Sequence, residues 1–302
     1  MTSIRKWKLP LVVSLALATA ACSNTPSTSA TIVEDQLRHT DMDLLFATEF
    51  PVADKNDGML RAAEAWSSGD INHALYFYVK ALQFDPQDAD LLATIGKIHQ
   101  MQDRPEMAVR AYTMSLRVNP DHVASLEGRG LILVANNRDD QAEIDLNRAI
   151  ELAPDMWTAY NGLGMLADRR GNHLIARMNY DAALALVPES AIVLNNRGYS
   201  SLLAGEYAQS ANDLHAASEL GYEQAWMNLG LLYSRQGRYI PAVDMYRKVL
   251  GEAESFNKVA EAAIANEDFD AARKLLNLAI NESPTYFPDA EENLTKLSLL
   301  EQ

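Results

Sequence analysis

The chain has 302 residues, of which 48% are hydrophobic, 41 are acidic and 26 are basic, so its formal net charge is −15. Its length is enough for a sizeable core, in one large domain or in a repeat array. The charge argues against binding to nucleic acid or to an anionic lipid surface, because their phosphates would be repelled. A single cysteine excludes a disulfide framework and any cysteine-rich zinc or iron–sulfur site. The composition predicts an acidic, folded, helical protein.

The first 21 residues differ from the rest of the chain. They begin with the basic residues Arg5, Lys6 and Lys8, continue with an apolar run over residues 11–21 and contain no acidic residue. The run is too short for a membrane-spanning helix, which needs about 20 apolar residues. A basic start, a short apolar run and small residues before a break are typical of a secretory signal peptide, so we expect residues 1–21 to be removed.

The only cysteine, Cys22, directly follows Thr19, Ala20 and Ala21, where the signal peptide would be cleaved. This arrangement resembles a bacterial lipobox, although Leu is usual where Thr19 stands. The resemblance implies that the cysteine becomes the N-terminus and carries acyl chains such as palmitate. Two or more chains hold a protein stably on a bilayer, whereas one binds at only about 10⁴ M⁻¹. Ser23 follows rather than Asp, which by similarity to Gram-negative lipoproteins favours the outer membrane and a periplasm-facing protein. The alternative is an ordinary signal peptide that ends near a cysteine by coincidence.

Residues 22–54 are predicted to be the lipidated cysteine and a flexible linker. Seven of the nine residues from Ser23 to Thr31 are Ser, Thr or Pro, and such a stretch cannot bury enough apolar surface to fold. Apolar residues among acids after residue 33 allow one short helix before residue 55.

A regular period runs through the rest of the chain, and three residue types mark it independently. The markers are Pro86, Pro120, Pro154 and Pro188; Gly96, Gly130, Gly164 and Gly198, with Ala62 upstream and Gly230 downstream; and Ala74, Ala108, Ala142 and Ala176, with Ala242 downstream. A fixed period of about 34 residues is typical of a helical solenoid.

Each unit is predicted to consist of two helices. In residues 157–188, a stripe with helical spacing runs from Tyr160 to Ala167, Gly171 ends it, and a second stripe stops before Pro188. The glycine and alanine markers are the predicted repeat-packing residues, because small side chains let paired helices approach to about 8 Å.

This unit resembles the tetratricopeptide repeat. The fullest copy matches the template Trp-x₂-Leu-Gly-x₂-Tyr…Ala-x₃-Phe with one Phe-to-Tyr exchange, and it consists of Trp226, Leu229, Gly230, Tyr233, Gly237, Tyr239, Ala242 and Tyr246. The resemblance implies an all-α fold, a tetratricopeptide-repeat superhelical solenoid with a C-terminal capping helix. About seven units occupy residues 55–286 and start near residues 55, 89, 123, 157, 191, 223 and 253. The capping helix is expected in residues 287–302.

No motif in the sequence indicates catalysis. The six histidines form neither His-Glu-x-x-His nor any pair at i, i+4, and glycine-rich phosphate loops and nucleophile elbows are absent. The acidic pairs Asp139-Asp140 and Glu291-Glu292 fit helix caps or solvated faces better than acid–base pairs. We therefore expect a protein that is not an enzyme, with no catalytic residue, metal, cofactor or small-molecule substrate.

In a tetratricopeptide solenoid the first helix of each unit lines the concave side, so its spare side chains can meet a partner. The predicted groove residues are Trp66, Met101, Asn161, Met165, Arg169, Asn195, Tyr199, Met227 and Arg235, and a wider stripe adds Met59, Lys97, Leu131, Val134, Leu202 and Leu231. Methionine surfaces adapt to different partners, and aromatic and arginine side chains often dominate binding energy. The amides of Asn161 and Asn195 can hydrogen-bond an extended peptide backbone.

For the bulkier residues, Leu131, Met165, Leu202 and Leu231, packing against the next unit is the alternative to partner binding. The stripe does not resemble the carboxylate clamp of chaperone-binding members, which has two Lys and two Asn. We therefore do not expect it to recognise a C-terminal Glu-Val-Asp tail.

Three stretches are similar to the tight-adherence (Flp) pilus assembly lipoproteins of the TadD family. They are the Asn-Asn-x-Gly-Tyr unit at residues 195–199, residues 201–207, and the Ser-Pro-x-Tyr…Glu-Asn-Leu ending at residues 283–294. The similarity implies a lipid-anchored adaptor whose protein partners are the pilus secretin or assembly components. Two alternatives with the same architecture remain, a scaffold for peptidoglycan hydrolases and a type IV pilus secretin pilotin. For a third, an envelope enzyme, the sequence nominates no residue.

Overall fold

The structure is a computed structural model of the chain and describes residues 51–283 and 285–300. In these residues it contains fifteen α-helices and no strand, which confirms the predicted all-α class. From Val52 onward the chain forms one compact unit. The predicted signal peptide, the lipidated Cys22 and the linker as far as residue 50 lie outside the described residues and stay predictions.

Seven helical hairpins follow one another, and a single helix closes the array. The hairpins are α1 (Lys55–Ser67) with α2 (Ile71–Phe84), α3 (Ala89–Met101) with α4 (Pro105–Val118), α5 (Val123–Ala135) with α6 (Asp139–Leu152), α7 (Trp157–Arg169) with α8 (His173–Leu186), α9 (Ala191–Ala204) with α10 (Tyr207–Glu219), α11 (Gln224–Arg235) with α12 (Tyr239–Tyr246), and α13 (Glu252–Ala265) with α14 (Phe269–Glu282). The last helix is α15 (Pro288–Leu300). None of the described helices is long and apolar enough to cross a bilayer.

The turn inside every hairpin has the same backbone geometry. The residue two before the second helix lies in the left-handed region, with φ between 54° and 81°. Four of these residues are glycines, such as Gly171, which adopt this conformation without strain. The other three are Asp103, Asn137 and Glu267. The repeat therefore depends on this turn geometry more strictly than on glycine itself.

Small residues bring the two helices of each hairpin together. The predicted packing alanines, Ala62, Ala74, Ala108, Ala142, Ala176 and Ala242, are fully buried. Each glycine marker faces one large side chain of the second helix: Tyr112 for Gly96, Leu146 for Gly130, Tyr180 for Gly164, Leu214 for Gly198 and Tyr246 for Gly230. Since the ideal Cβ position on each glycine lies under 3 Å from that side chain, no larger residue fits without a shift.

The third and the fifth hairpins each contain a buried ion pair of the same kind, which was not predicted from the sequence. Arg129 donates to Asp145 from Nε at 2.7 Å and from Nη2 at 2.8 Å, and Gln141 donates to the same carboxylate at 3.1 Å. An equivalent set, Arg197, Gln209 and Asp213, occurs two hairpins later. In these hairpins leucine replaces the tyrosine of the second, fourth and sixth hairpins. Hairpins two to six therefore alternate between these two kinds of packing.

A buried histidine in α3 makes the fold sensitive to acid. His99 is 6% exposed, and its Nδ1 has no hydrogen-bond partner among the described residues. Burial, with a smaller contribution from the charge of Arg104, lowers the pKa of His99 below its ordinary value of 6.5. As the pH falls below about 6.5 the unfolded chain therefore binds this proton before the folded chain does, and folding loses stability down to the lower, folded-state pKa.

We predict that His99→Leu reduces the loss of thermal stability between pH 7.5 and pH 5.5. Leucine stands at the equivalent place in the next hairpin, where Leu133 is 3% exposed, so the substitution suits the environment. Thermal unfolding followed by circular dichroism at both pH values measures the effect. An identical drop in the midpoint of the variant and the natural protein would contradict this role of His99.

Candidate partner-binding groove

The first helices of neighbouring hairpins are joined by asparagine side chains, which we call the asparagine row. Nδ2 of Asn196 donates to Oδ1 of Asn161 at 2.9 Å, and Nδ2 of Asn228 donates to Oδ1 of Asn195 at 2.8 Å. The same kind of bond occurs at the C-terminal end of the array, where Nδ2 of Asn293 in the capping helix donates to Oδ1 of Asn257 in α13 at 3.0 Å. The members of the row are Asn161, Asn195, Asn196, Asn228, Asn257 and Asn293. The row joins α7, α9 and α11 along their shared side.

The nitrogens of the accepting amides make only weak contacts. Nδ2 of Asn161 lies 3.9 Å from the sulfur of Met165, that of Asn195 lies 3.4 Å from Oδ1 of Asn196, and that of Asn257 lies 3.5 Å from a neighbouring carboxylate oxygen. An asparagine amide has two N–H donors, and normal bonds from it are near 2.9 Å. These amides therefore keep donor capacity for a peptide carbonyl.

The exposure of the two predicted amides differs from the expectation. Asn161 is 7% exposed and Asn195 is 4% exposed, because the next first helix covers them and holds their oxygens. The sequence pattern predicts open groove side chains at both positions. Both are instead buried between neighbouring first helices, and their oxygens are already occupied.

Methionine and aromatic side chains lie on the first helices α1, α3, α7, α9 and α11. Met101 is 57% exposed and Met165 is 37% exposed, so both can contact a partner. Trp66, Tyr199 and Met227 are half-buried. Tyr199 and Met227 also pack against buried clusters of the core, which leaves only part of each side chain for contacts.

Part of the predicted stripe is core. Leu202 is fully buried and Val134 is 2% exposed, so neither meets a ligand. The reason is the close approach of the next first helix: the Cβ position of Gly162 lies 3.1 Å from Leu131 and 3.8 Å from Val134. Leu131 and Leu231 are half-buried against core clusters, in keeping with the packing alternative.

The two predicted arginines have different surroundings. Nη1 of Arg169 pairs with Asp139, and Nη2 donates to the carbonyl of Val134 at 2.9 Å, so Arg169 ties its hairpin to the preceding one. Its guanidinium is therefore engaged within the array, and its predicted contact with a partner stays a prediction. Arg235 stands at the equivalent place two hairpins later, but Tyr207 replaces the aspartate there. Within the described residues Arg235 has no ion-pair partner and remains a half-buried cation.

Asp168 is a polar centre that no sequence signal indicated. Its carboxylate accepts hydrogen bonds from Tyr180 Oη at 2.9 Å and from Ser200 Oγ at 2.6 Å, and it contacts His173 Nδ1 at 2.8 Å. Burial and the carboxylate charge raise the pKa of Tyr180. Ser200 donates to the carboxylate and not to the imidazole, so these residues do not form the relay of a serine hydrolase. No group of three or more candidate metal ligands occurs in the described part of the chain.

Comparison with known families places the chain in one class. Two blocks, residues 94–156 and 161–217, match one tetratricopeptide-repeat pattern, and residues 223–256 match another. Together the matches cover about half of the chain. The chain belongs to the tetratricopeptide-repeat family, whose repeats are modules for protein–protein interaction.

Solved structures share this fold. A tetratricopeptide repeat protein from Parabacteroides merdae is 19% identical, with a TM-score of 0.58 over 81% of this chain and 98% of that chain. MamA from Desulfovibrio magneticus is 19% identical, with a TM-score of 0.51 over 58% of this chain and 99% of that chain. The Pseudomonas aeruginosa pilF protein is 17% identical, with a TM-score of 0.49 over 80% and 97%. These similarities concern the fold alone, and the last is too low to support an argument. No curated protein matches the chain in sequence.

Proposed function

We propose that this protein is a non-catalytic adaptor that holds an extended segment of a partner protein in the groove of its first helices. The asparagine row is the observation that carries the proposal. It contains amide donors of Asn161, Asn195 and Asn257 that lack strong partners and lie between the first helices of the array and its capping helix. An extended peptide exposes backbone carbonyls that such donors can bind.

The other exposed side chains of the first helices suit a polypeptide rather than a small substrate. Met101 and Met165 are exposed and flexible, so they can adapt to apolar side chains of a partner. Arg235 offers a cation without an internal partner to an acidic residue. The groove is spread over several helices instead of forming an enclosed chamber, which favours a long ligand.

We further place the adaptor at the outer membrane, facing the periplasm, as a lipoprotein of tight-adherence (Flp) pilus assembly. The lipobox at Cys22 and the following Ser23 support the location. The Asn-Asn-x-Gly-Tyr unit supports the pathway, because Asn195 and Asn196 belong to the asparagine row and Tyr199 lies beside it. One of the three stretches that resemble the tight-adherence family thus belongs to the candidate groove. The partners are then the pilus secretin or other assembly components.

Affinity capture from envelope extracts tests this function with two matched methionines. Met165 lies in the groove, and Met178, which is 64% exposed, lies on the second helix of the same hairpin. We expect the natural protein and Met178→Glu to recover secretin or pilus assembly proteins, and Met165→Glu to recover at least about tenfold less, equivalent to about 1.4 kcal/mol. Recovery of peptidoglycan hydrolases without pilus components would favour the scaffold alternative.

The anchor is tested separately at the cysteine. We predict that Cys22→Ser abolishes incorporation of labelled palmitate and moves the protein from the membrane fraction to the soluble periplasmic fraction. Two or more acyl chains hold a protein stably on a bilayer, and a serine in place of the thiol cannot be acylated at the same site. Unchanged labelling or an unchanged distribution would show that Cys22 is not the anchor.

A further inference from the structure

A second concave site lies among the second helices, between α4 and α6. It is a cleft of about 410 Å³ whose floor includes the start of α5. We call it the rear cleft, and its lining includes Leu116, Arg117, Asp121, Arg129, Ile144 and Arg148. None of these belongs to the groove of the first helices.

The rear cleft is positive in a strongly negative protein. Three arginines and two aspartates line it, whereas the whole chain has a net charge of −15. Arg129 is fully paired with Asp145, and Arg148 pairs with Asp121 and with Glu151, at 2.8 Å each. Arg117 is exposed and has no ion pair or hydrogen bond among the described residues. One cation is therefore left over at the mouth of the cleft.

The positions equivalent to the lining of the rear cleft, two hairpins later, have a net negative charge around the same kind of buried ion pair. Arg197 pairs there with Asp213 and also with Asp181, at 2.7 Å each. Ala185 and Ala216 stand in place of the two outer arginines. Together with Glu189, three acids there face one arginine. The excess of positive charge is thus a property of the rear cleft and not of the repeat.

Apolar surface accompanies the free cation. Ile144 is 64% exposed and Leu116 is half-buried, and both line the cleft. The position equivalent to Ile144 two hairpins later is the polar Asn212. Because such exposed walls leave a small molecule largely in solvent, the cleft suits a segment that continues beyond it on both sides.

We propose that the rear cleft binds an acidic peptide segment of a partner protein. A carboxylate of the segment pairs with Arg117, since a guanidinium binds carboxylates in a fork-like geometry. An adjoining apolar side chain of the segment packs against Leu116 and Ile144. The site is independent of the groove, so the adaptor has two faces for two different segments.

Fluorescence anisotropy with a labelled octapeptide of alternating Leu and Asp, titrated into the purified full chain, tests the proposal. We expect Arg117→Ala to weaken binding by about fivefold, the upper range for an exposed ion pair. Ile144→Asn should weaken it by about threefold, through lost apolar contact. The matched control is Ala185→Glu, which makes the same change of net charge at the equivalent position and should change the affinity by less than about twofold.

Further measurements distinguish peptide binding in the rear cleft from binding in the groove and from a site for small anions. Met165→Glu in the groove should leave binding of the octapeptide unchanged, and a peptide with Asn in place of Asp should bind at least about fivefold more weakly. Equal binding of the two peptides, or equal effects of Arg117→Ala and Ala185→Glu, would overturn the proposal. Displacement of the peptide by millimolar inorganic phosphate or succinate would assign the cleft to a small anion instead. Loss of binding in Met165→Glu alone would place the peptide in the groove.

Discussion

Replacing Gly164 with leucine is expected to destabilise the protein by about 3 kcal/mol, at the upper end of the range for overpacked cores. The ideal Cβ position on Gly164 lies 2.5 Å from Cε1 of Tyr180. The ring is 1% exposed, and its hydroxyl is held by Asp168 at 2.9 Å. It therefore cannot move aside without losing a buried hydrogen bond, and the hairpin of α7 and α8 must open.

Chemical denaturation of purified protein measures this change. Ala185→Leu, on the exposed side of α8, adds the same side chain without facing a partner helix and should alter stability by less than about 0.5 kcal/mol. If the two variants had equal midpoints, the packing of Gly164 against Tyr180 would be wrong.

Removing the arginine of the buried ion pair in the fifth hairpin is expected to cause the second large loss of folding stability. We expect Arg197→Met to cost at least about 3 kcal/mol, because it leaves the carboxylate of Asp213, whose side chain is 5% exposed, without its counter-ion. Hydrogen bonds, above all to Asp213, raise the pKa of Arg197, so its guanidinium stays charged in the folded protein. Gln209 still donates to Asp213 at 3.0 Å but brings no charge.

Two controls define this effect. Arg177→Met breaks a more exposed pair with Glu206, whose side chains are 39% and 43% exposed, and should cost less than about 1 kcal/mol. The double substitution Arg197→Met with Asp213→Leu should recover much of the loss, because no charge remains buried. A double variant no more stable than Arg197→Met would indicate that the arginine acts through packing alone.

The fold could be predicted because the same packing residues recur at equivalent positions in most units of the repeat. Pro188, Gly171 and Ala176 each mark an end, a turn or a contact of one hairpin, and the proline and alanine recur at the same place in neighbouring units. These residues act within a hairpin, where sequence spacing and spatial distance are closely linked. The burial of every packing alanine follows from that link.

The groove was harder to predict because its residues act between hairpins. The offset of one first helix on the next decides whether a side chain is covered, and the period does not contain that offset. Val134 and Leu202 therefore project towards the concave side in the sequence pattern but are buried in the structure. Arg169 was assigned to a partner for the same reason, since its contacts, Asp139 and the carbonyl of Val134, lie 30 and 35 residues away.

Some features had a sequence signal that could have been used. The adjacent Asn195 and Asn196, followed by Asn228 one unit later, mark the asparagine row. The recurrence of Arg, Gln and Asp at equivalent places in the third and the fifth hairpins marks these ion pairs. Asp168 had no such signal, because its partners are three different residue types at separations of 5, 12 and 32 residues.

Photo-crosslinking in cells tests the central claim, that a partner polypeptide lies along the first helices, most directly. A photoreactive amino acid is placed at Met101 or Met165 in the groove, and at Met178 on the second helix as the control. We predict crosslinks from both groove positions to the same segment of one pilus secretin or assembly protein, and none to that segment from Met178. Crosslinks to that segment from Met178 alone, with none from Met101 and Met165, would contradict the account.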